Sequence, residues 1–320
     1  MTKTYIGSSK NVILRDELHG EFEFTDRYSI FDWGEMPDLL SGKGEALALM
    51  AKIFFDELAR RDVRHHAGDL LGKNRLAIRP VQVLWPHKQG NSFDYSAYQD
   101  KPKNALVPLE VIFRLGAPKG SSILARRPDL KENARFDKPI IEFTTKLEDE
   151  DRALTWDEAA TIAALTSGEL QQLADLTAQV AFELSAMLEK VGVELWDGKL
   201  EWAWDESRSF LLVDAIGLDE LRVSYRGLPL SKEFLRQHYR STPWFADLTR
   251  AKAEALKTGA DFKEICLREF SSAPAPLPVG VKHSAQLLYT AFANDLCALY
   301  RRERPWGEHV TLRTWQESLS

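Results

Sequence analysis

Cysteine is scarce in this chain: Cys266 and Cys297 are the two present among 320 residues. Two thiols cannot build a disulfide framework, and their separation fits no close metal-ligand spacing. Both fall in apolar, helix-like surroundings, which predicts buried thiols. Long apolar runs are missing as well. No stretch approaches the ~20 residues that a membrane-spanning helix needs. Positive charge is not in excess: 42 Lys and Arg stand against 48 Asp and Glu, a formal net charge of −6. A mildly acidic chain has no general pull toward nucleic acid or an anionic membrane. Any bound phosphate must therefore be held by local clusters of Lys and Arg. The opening MTKTYIGSSK has no apolar core, so no signal peptide is expected. There is no Walker pattern, and neither the H-R-D nor the D-F-G of protein kinases occurs. The expectation is a cytoplasmic, globular protein with neither nucleic acid nor membrane as a partner.

What is present suffices for a sizeable core, since 44% of residues are hydrophobic. Residues 4–34 carry strand-like pieces (TYIGS, NVILRD, EFEFTD) punctuated by Gly7 and Gly20. Residues 44–61 read as an amphipathic helix with Leu47, Met50, Phe54 and Leu58 on one stripe. LAIRPVQVLWP and ALVPLEVIFRL read as strands. The polar stretch between them, residues 87–104, reads as an exposed insertion. Residues 156–192 give two helices, the second capped by Ser167 and closed by Gly192. VELWDGKLEWAW and FLLV pair as two strands across the turn DESRS. Helices follow over 231–258, broken at Thr242–Pro243. After the Pro-rich segment 271–280, a last helix runs from about 282 to 302. This order suits an α+β protein of two lobes, divided as 1–105 and 106–320, with a ligand cleft expected between them.

Six constellations can carry chemistry. GSSK (Gly7, Ser8, Ser9, Lys10) is a small turn whose amides and Lys can approach phosphate; an ordinary hairpin turn reads the same way. Asp26, Arg27, Asp32 and Lys43 crowd a Gly- and Pro-punctuated loop that either meets substrate or simply caps the following helix. Glu110 and Arg114 interrupt an apolar strand and share one face, as a salt bridge or as site residues. Residues 139–152 open as a strand and end in an acidic run with Lys146, Asp151 and Arg152. Glu201 sits mid-strand and Asp214 ends FLLV; a hairpin would bring both carboxylates together for magnesium. Lys232, Arg236 and Arg240 recur every four residues on a helix that Ser231 would cap, facing an anion or solvent.

Taken in order, these elements resemble the SAICAR synthetase family over about three quarters of the chain, from Tyr5 to Arg240. Gly7, Ser8 and Lys10 match its GS-x-K. Phe22, Phe24, Thr25, Asp26, Arg27, Ser29, Phe31 and Asp32, then Lys43 and Gly44, match its second segment, and FDWG-x-MPD resembles the archaeal-type version. Pro108, Glu110, Ile112 and Arg114 match P-x-E-x-I-x-R, with Gly120 and Ser121 after it. Pro139, Thr145, Lys146 and Asp151 follow. Lys199, Glu201 and Trp202 resemble K-x-E-F-G; Asp214, Asp219 and Arg222 resemble D-E-x-x-x-D-x-x-R; Ser231, Lys232 and Arg236 match S-K-x-x-x-R.

The resemblance implies a small strand-rich N-terminal lobe and a larger ATP-grasp-like lobe with nucleotide between them. It implies an ATP- and magnesium-dependent ligase of purine biosynthesis. ATP would phosphorylate the carboxylate of carboxyaminoimidazole ribonucleotide (CAIR), and L-aspartate's amine would displace the phosphate. Gly7, Ser8, Ser9, Lys10, Leu106, Pro108 and Glu110 would bind ATP. Glu201 and Asp214 would hold magnesium. Lys146, Asp151, Lys199 and Asp214 would serve the reacting centre. Arg114, Ser121, Arg222, Lys232 and Arg236 would bind substrate. A homo-oligomer is compatible with the family. The chain departs from the pattern at Ala215, where Glu is usual, at Ala203 in place of Gly, and at Glu233 in place of Asp. A ligase of the same fold with another carboxylate or amine, or a non-catalytic nucleotide-binding relative, would carry such departures.

Overall fold

The computed structural model describes residues 2–90 and 92–319; Asn91, inside the 87–104 stretch, and the two terminal residues lie outside the described set. The chain opens with strands β1 (Lys3–Ile6), β2 (Lys10–Leu14) and β3 (Gly20–Phe24), then helix α1 (Lys43–Ala59), β4 (Ala67–Gly72) and β5 (Arg75–Ile78). These strands form a twisted antiparallel sheet of order β1-β2-β3-β5-β4. Phe22 and Leu76 face α1 from neighbouring strands, and α1 buries Leu47, Met50, Phe54 and Leu58 as its spacing predicts. The helix can approach because Gly44 has no side chain: a Cβ there would stand 2.6 Å from the Phe24 carbonyl oxygen. Asp26 accepts the Gly44 N–H at 3.0 Å and fixes the entry of the chain into α1.

A short hairpin, β6 (His87–Gln89) and β7 (Ser92–Asp94), leads to β8 (Ala105–Ala117), the one-turn α2 (Ile123–Arg126), β9 (Ala134–Thr145) and β10 (Ala153–Leu154). Then come α3 (Trp156–Ile162), α4 (Ser167–Glu189), β11 (Val193–Trp204), β12 (Phe210–Val213), β13 (Leu221–Tyr225) and β14 (Leu228–Pro229). The second sheet runs β10-β9-β8-β11-β13-β14, with β12 paired to the far end of β11. One face of its central strands is apolar. Leu200 and Trp202 point to α4, where Trp202 donates to Thr177 Oγ1 at 3.1 Å. The other face carries charge, as described below. α5 (Lys232–Arg240), α6 (Pro243–Thr258), α7 (Phe262–Arg268), α8 (Val279–Tyr300) and α9 (Leu312–Glu317) complete the chain. α8 packs against α1, so the C-terminal segment braces the first sheet, and one continuous apolar core joins both halves.

Several expectations need correction. Thr166, not Ser167, caps α4, in a reciprocal capping box with Glu169. Ser231 precedes α5 with a positive φ of 62° and makes no side-chain cap. The strand expected over 76–86 ends at Ile78, beyond which only a bridge at Gln82 to Ala105 remains. The 87–104 insertion is not wholly exposed: Tyr98 is buried, with its hydroxyl on the Leu84 carbonyl at 2.9 Å, and Tyr95 is nearly so. Both cysteines are buried and free. Among the described residues no helix is long and apolar enough to cross a membrane.

Candidate active site

Strand register builds the site. β9, β8, β11 and β13 lie side by side, and side chains directly opposite each other share a face. Ile140, Arg114, Asp197 and Arg222 form one row; Glu142, Ile112 and Lys199 the next; Thr144, Glu110 and Glu201 the third. The spacing of two residues along each strand puts all three rows on the side away from α4. The charge-bearing motifs read from the sequence therefore meet on one surface.

At the third row the ion pairs are continuous. Lys10 reaches Asp214 at 2.6 Å; Lys146 touches Glu201 at 2.7 Å and Glu110 at 3.1 Å; Lys199 closes on Glu110 at 2.5 Å. Asp214 follows β12 in a left-handed turn (φ 63°), and β12 pairs Val213 with Glu201. The two carboxylates are thus adjacent, as the hairpin reading required. Burial, then the neighbouring Asp214 charge, push the Glu201 carboxyl up to about 7, while Lys146 opposes them. Burial works against ionised Asp214 too, but Lys10 and Lys146 outweigh it and hold that carboxyl well below the usual range. Asp151 stands on the turn beyond Lys146, and partial desolvation of its carboxyl, then the Glu110 charge, raise its pKa.

The first row forms a second cluster. Arg114 Nη1 donates toward Ser121 Oγ at 3.3 Å, and its Nη2 donates to Ser122 Oγ at 3.2 Å. Arg114 also pairs with Glu142 and lies 3.5 Å from Asp197, which Arg222 approaches at the same distance. Glu110 and Arg114 therefore do not bridge each other. Lys232 lies 3.8 Å from Asp219, while Arg236 and Arg240 both turn to Glu233. The expected stripe thus divides, and Arg240 sits near Phe31 instead.

A cavity of about 1000 Å³ opens beside the carboxylate pair. Val12, Phe22, Ile78, Val81, Trp85 and Leu106 line its apolar part; Glu201 and Asp214 lie at one polar end, and Lys3, Arg15, Asp16 and Glu17 also border it. Of the residues expected to bind ATP, Leu106 lines this cavity and Lys10 ion-pairs with its wall. Gly7, Ser8, Ser9, Pro108 and Glu110 are not on its lining. Pro108 is packed inside β8, and Glu110 is occupied by two lysines. The GSSK turn is closed by a Gly7 N–H to Lys10 carbonyl bond at 3.0 Å, so tight that a Cβ on Gly7 would lie 2.5 Å from that oxygen. The cavity walls at 78–85 went unread because they are single apolar residues with no charged marker.

The loop over 25–43 is chiefly structural. Arg27 donates to the Gly7 carbonyl at 2.8 Å, and exposed Asp32 pairs with Lys252. Lys43 is fully buried and bonds Asp219 Oδ2 at 2.9 Å; Tyr289 of α8 donates to Asp219 Oδ1 at 3.0 Å.

Magnesium commonly takes one or two carboxylates, with phosphate oxygens and waters for the rest. Adjacent Glu201 and Asp214, at the end of a cavity and flanked by phosphate-attracting Lys10 and Lys146, fit that mode. No group of three or more metal-ligating side chains occurs among the described residues.

Comparison with known proteins agrees with this architecture. A family model described as SAICAR synthetase matches residues 3–251. A protein of Archaeoglobus fulgidus, provisionally named phosphoribosylaminoimidazole-succinocarboxamide synthase, is 35% identical over 91% of this chain and 93% of its own. The phosphoribosylaminoimidazole-succinocarboxamide synthase of Thermoplasma acidophilum is 28% identical over 73% of this chain and 82% of its own. Among solved structures, a SAICAR synthetase in complex with ADP superposes with a TM-score of 0.61 at 24% identity, covering 81% of this chain and 99% of that one. The SAICAR synthase of Saccharomyces cerevisiae complexed with SAICAR gives 0.64 at 21% identity, covering 92% and 94%.

Proposed function

The chain belongs to the SAICAR synthetase family, and from that premise we propose that it joins L-aspartate to the carboxylate of CAIR at the expense of ATP, giving SAICAR, ADP and phosphate in purine biosynthesis in the cytoplasm. The observation that carries this reading is the continuity of one charged sheet face. It runs from a nucleotide-sized cavity, past the Glu201–Asp214 pair, to the Arg114–Ser121–Ser122–Arg222 cluster. Two phosphorylated molecules laid end to end, a nucleotide in the cavity and a second with its phosphate at the arginines, would span that face. The ADP and SAICAR named in the related structures are both phosphorylated molecules.

The adenine would lie among Val12, Phe22, Ile78 and Leu106, with its phosphates toward Lys10. Glu201 and Asp214 would hold magnesium, which when bound supplies positive charge to the transferring phosphoryl group. Lys146 and Lys199 would offer ammonium groups to the reacting end, where a carboxylate must become an acyl phosphate. Arg114 and Arg222 would grip the ribose phosphate, fixing the imidazole carboxylate for in-line transfer. Lys232 and Arg236 would receive the carboxylates of aspartate.

The test is ADP release with CAIR, aspartate, ATP and magnesium supplied to the folded protein. The reading requires release that depends on both CAIR and aspartate. Absence of turnover overturns it, and release with a different carboxylate or amine only would replace the substrate assignment.

A further inference from the structure

The match to the family model ends at residue 251, yet the chain continues through α7, α8 and α9. α8 packs along α1 and also meets α5, the helix that carries Lys232 and Arg236. One polar side chain of α8 is turned inward there. Tyr289 is buried, and its hydroxyl donates to Asp219 Oδ1 at 3.0 Å. The other oxygen, Oδ2, takes the Lys43 ammonium at 2.9 Å. That ammonium also lies 5.3 Å from the centre of the Tyr289 ring. Each oxygen of the Asp219 carboxylate therefore has a short bond of its own.

Lys232 approaches the same Oδ2, but only to 3.8 Å, and it makes no closer polar contact among the described residues. That distance is beyond hydrogen-bond range, so the contact is electrostatic and leaves the three N–H donors of Lys232 unspent. The Lys232 side chain is 21% exposed, against 2% for Asp219. The ammonium is thus held near a buried anion without being consumed by it, and it can still receive a ligand carboxylate. This state requires Asp219 to be satisfied elsewhere. A buried carboxylate oxygen left without a donor is costly, and Lys232 is the uncommitted donor at hand.

Resting on the ligase reading, in which Lys232 receives a carboxylate of aspartate, we propose that Tyr289 is a positioning residue of the active site. Its hydroxyl saturates Asp219 Oδ1 and so keeps Lys232 free for the amino-acid substrate. The C-terminal helix α8, beyond the residues that the family model matches, supports the aspartate subsite in this way.

Tyr289→Phe removes the hydroxyl and keeps the ring beside Lys43. ADP release is measured for the native protein, Y289F, K232Q and the double variant, with each substrate varied in turn. Saturating ATP and CAIR help to hold the variants folded during the aspartate titration. Y289F should raise KM for aspartate about 10- to 100-fold, the scale of one hydrogen bond to a charged group, with kcat and KM for ATP unchanged. K232Q should raise it as well, and adding Y289F to K232Q should raise it no further, because both act through one cation. A hydroxyl that serves stability alone would show no such split and no such coupling. An aspartate KM for Y289F within about threefold of native, an equal rise in KM for ATP, additive effects in the double variant, or a Y289F protein that no longer binds ATP overturns the assignment. A native protein without aspartate-dependent release overturns the ligase reading instead.

Discussion

The Lys43–Asp219–Tyr289 group offers a stability test worked directly from geometry. Lys43 is fully buried and its ammonium has one carboxylate partner at 2.9 Å. Burial alone lowers the Lys43 pKa, and Asp219 counteracts it. Lys43→Met preserves the length of the side chain and deletes its charge. The surviving Asp219 keeps only the Tyr289 hydroxyl at 3.0 Å and Lys232 at 3.8 Å. Removing one partner of a buried pair costs about 3–5 kcal/mol, because the other charge is left uncompensated. At roughly 2 °C per kcal/mol for a chain of this size, Tm should fall by about 6–10 °C. Adding D219N should recover about half of the loss, since the orphaned charge is then gone. The assay is thermal and denaturant unfolding of the native protein, both single variants and the double variant. A loss below about 1 kcal/mol for K43M, the scale of a surface pair, would refute the claim that this pair is internal and mutually dependent.

Three further outcomes are expected. Asp214→Asn should reduce ADP release by about 10²–10³-fold, as removal of a transition-state charge contact does, and should weaken magnesium-dependent nucleotide binding measured by calorimetry; an unchanged rate would separate Asp214 from the chemistry. Gly44→Ala must place a Cβ 2.6 Å from the Phe24 carbonyl, so α1 has to shift at a cost of about 1–3 kcal/mol, checked by denaturant unfolding. Asp219 is buried, which works against its charge, yet Lys232 and Lys43 hold its carboxyl well below the unfolded value of 3.8. Its contribution is therefore present above about pH 4 and lost as pH falls below that; acid unfolding of D219N, followed by circular dichroism, should be less steep there than that of the native protein.

The fold class and most elements were legible in the sequence, because they rest on periodicity. Leu47, Met50, Phe54 and Leu58 mark α1, and the alternation around Glu110 and Arg114 marks β8. Caps were less legible. Thr166 and Ser167 are both good capping residues in sequence; the partner bond with Glu169 decides between them only in three dimensions. β13 was not anticipated because Leu221–Tyr225 is short and interrupted by Arg222 and Ser224; it exists through its partner β11. The same limit applies to the cavity. Its apolar wall comes from strands and connections far apart in the chain, and nothing local labels Val81 or Trp85 as ligand-facing.

The motif letters themselves divide into two physical classes. Lys10, Arg114, Glu201, Asp214 and Arg222 face the cleft or the cavity end. Gly7, Asp26, Lys43 and Gly44 instead shape the backbone that carries them: a turn too tight for a Cβ, a cap, a buried ion pair and a close helix approach. Sequence spacing weights both classes alike, so Lys43 and Asp26 read as loop chemistry although they are scaffold. A charge acquires a role here through the row it occupies on the sheet, and rows are set by strand pairing between residues dozens of positions apart.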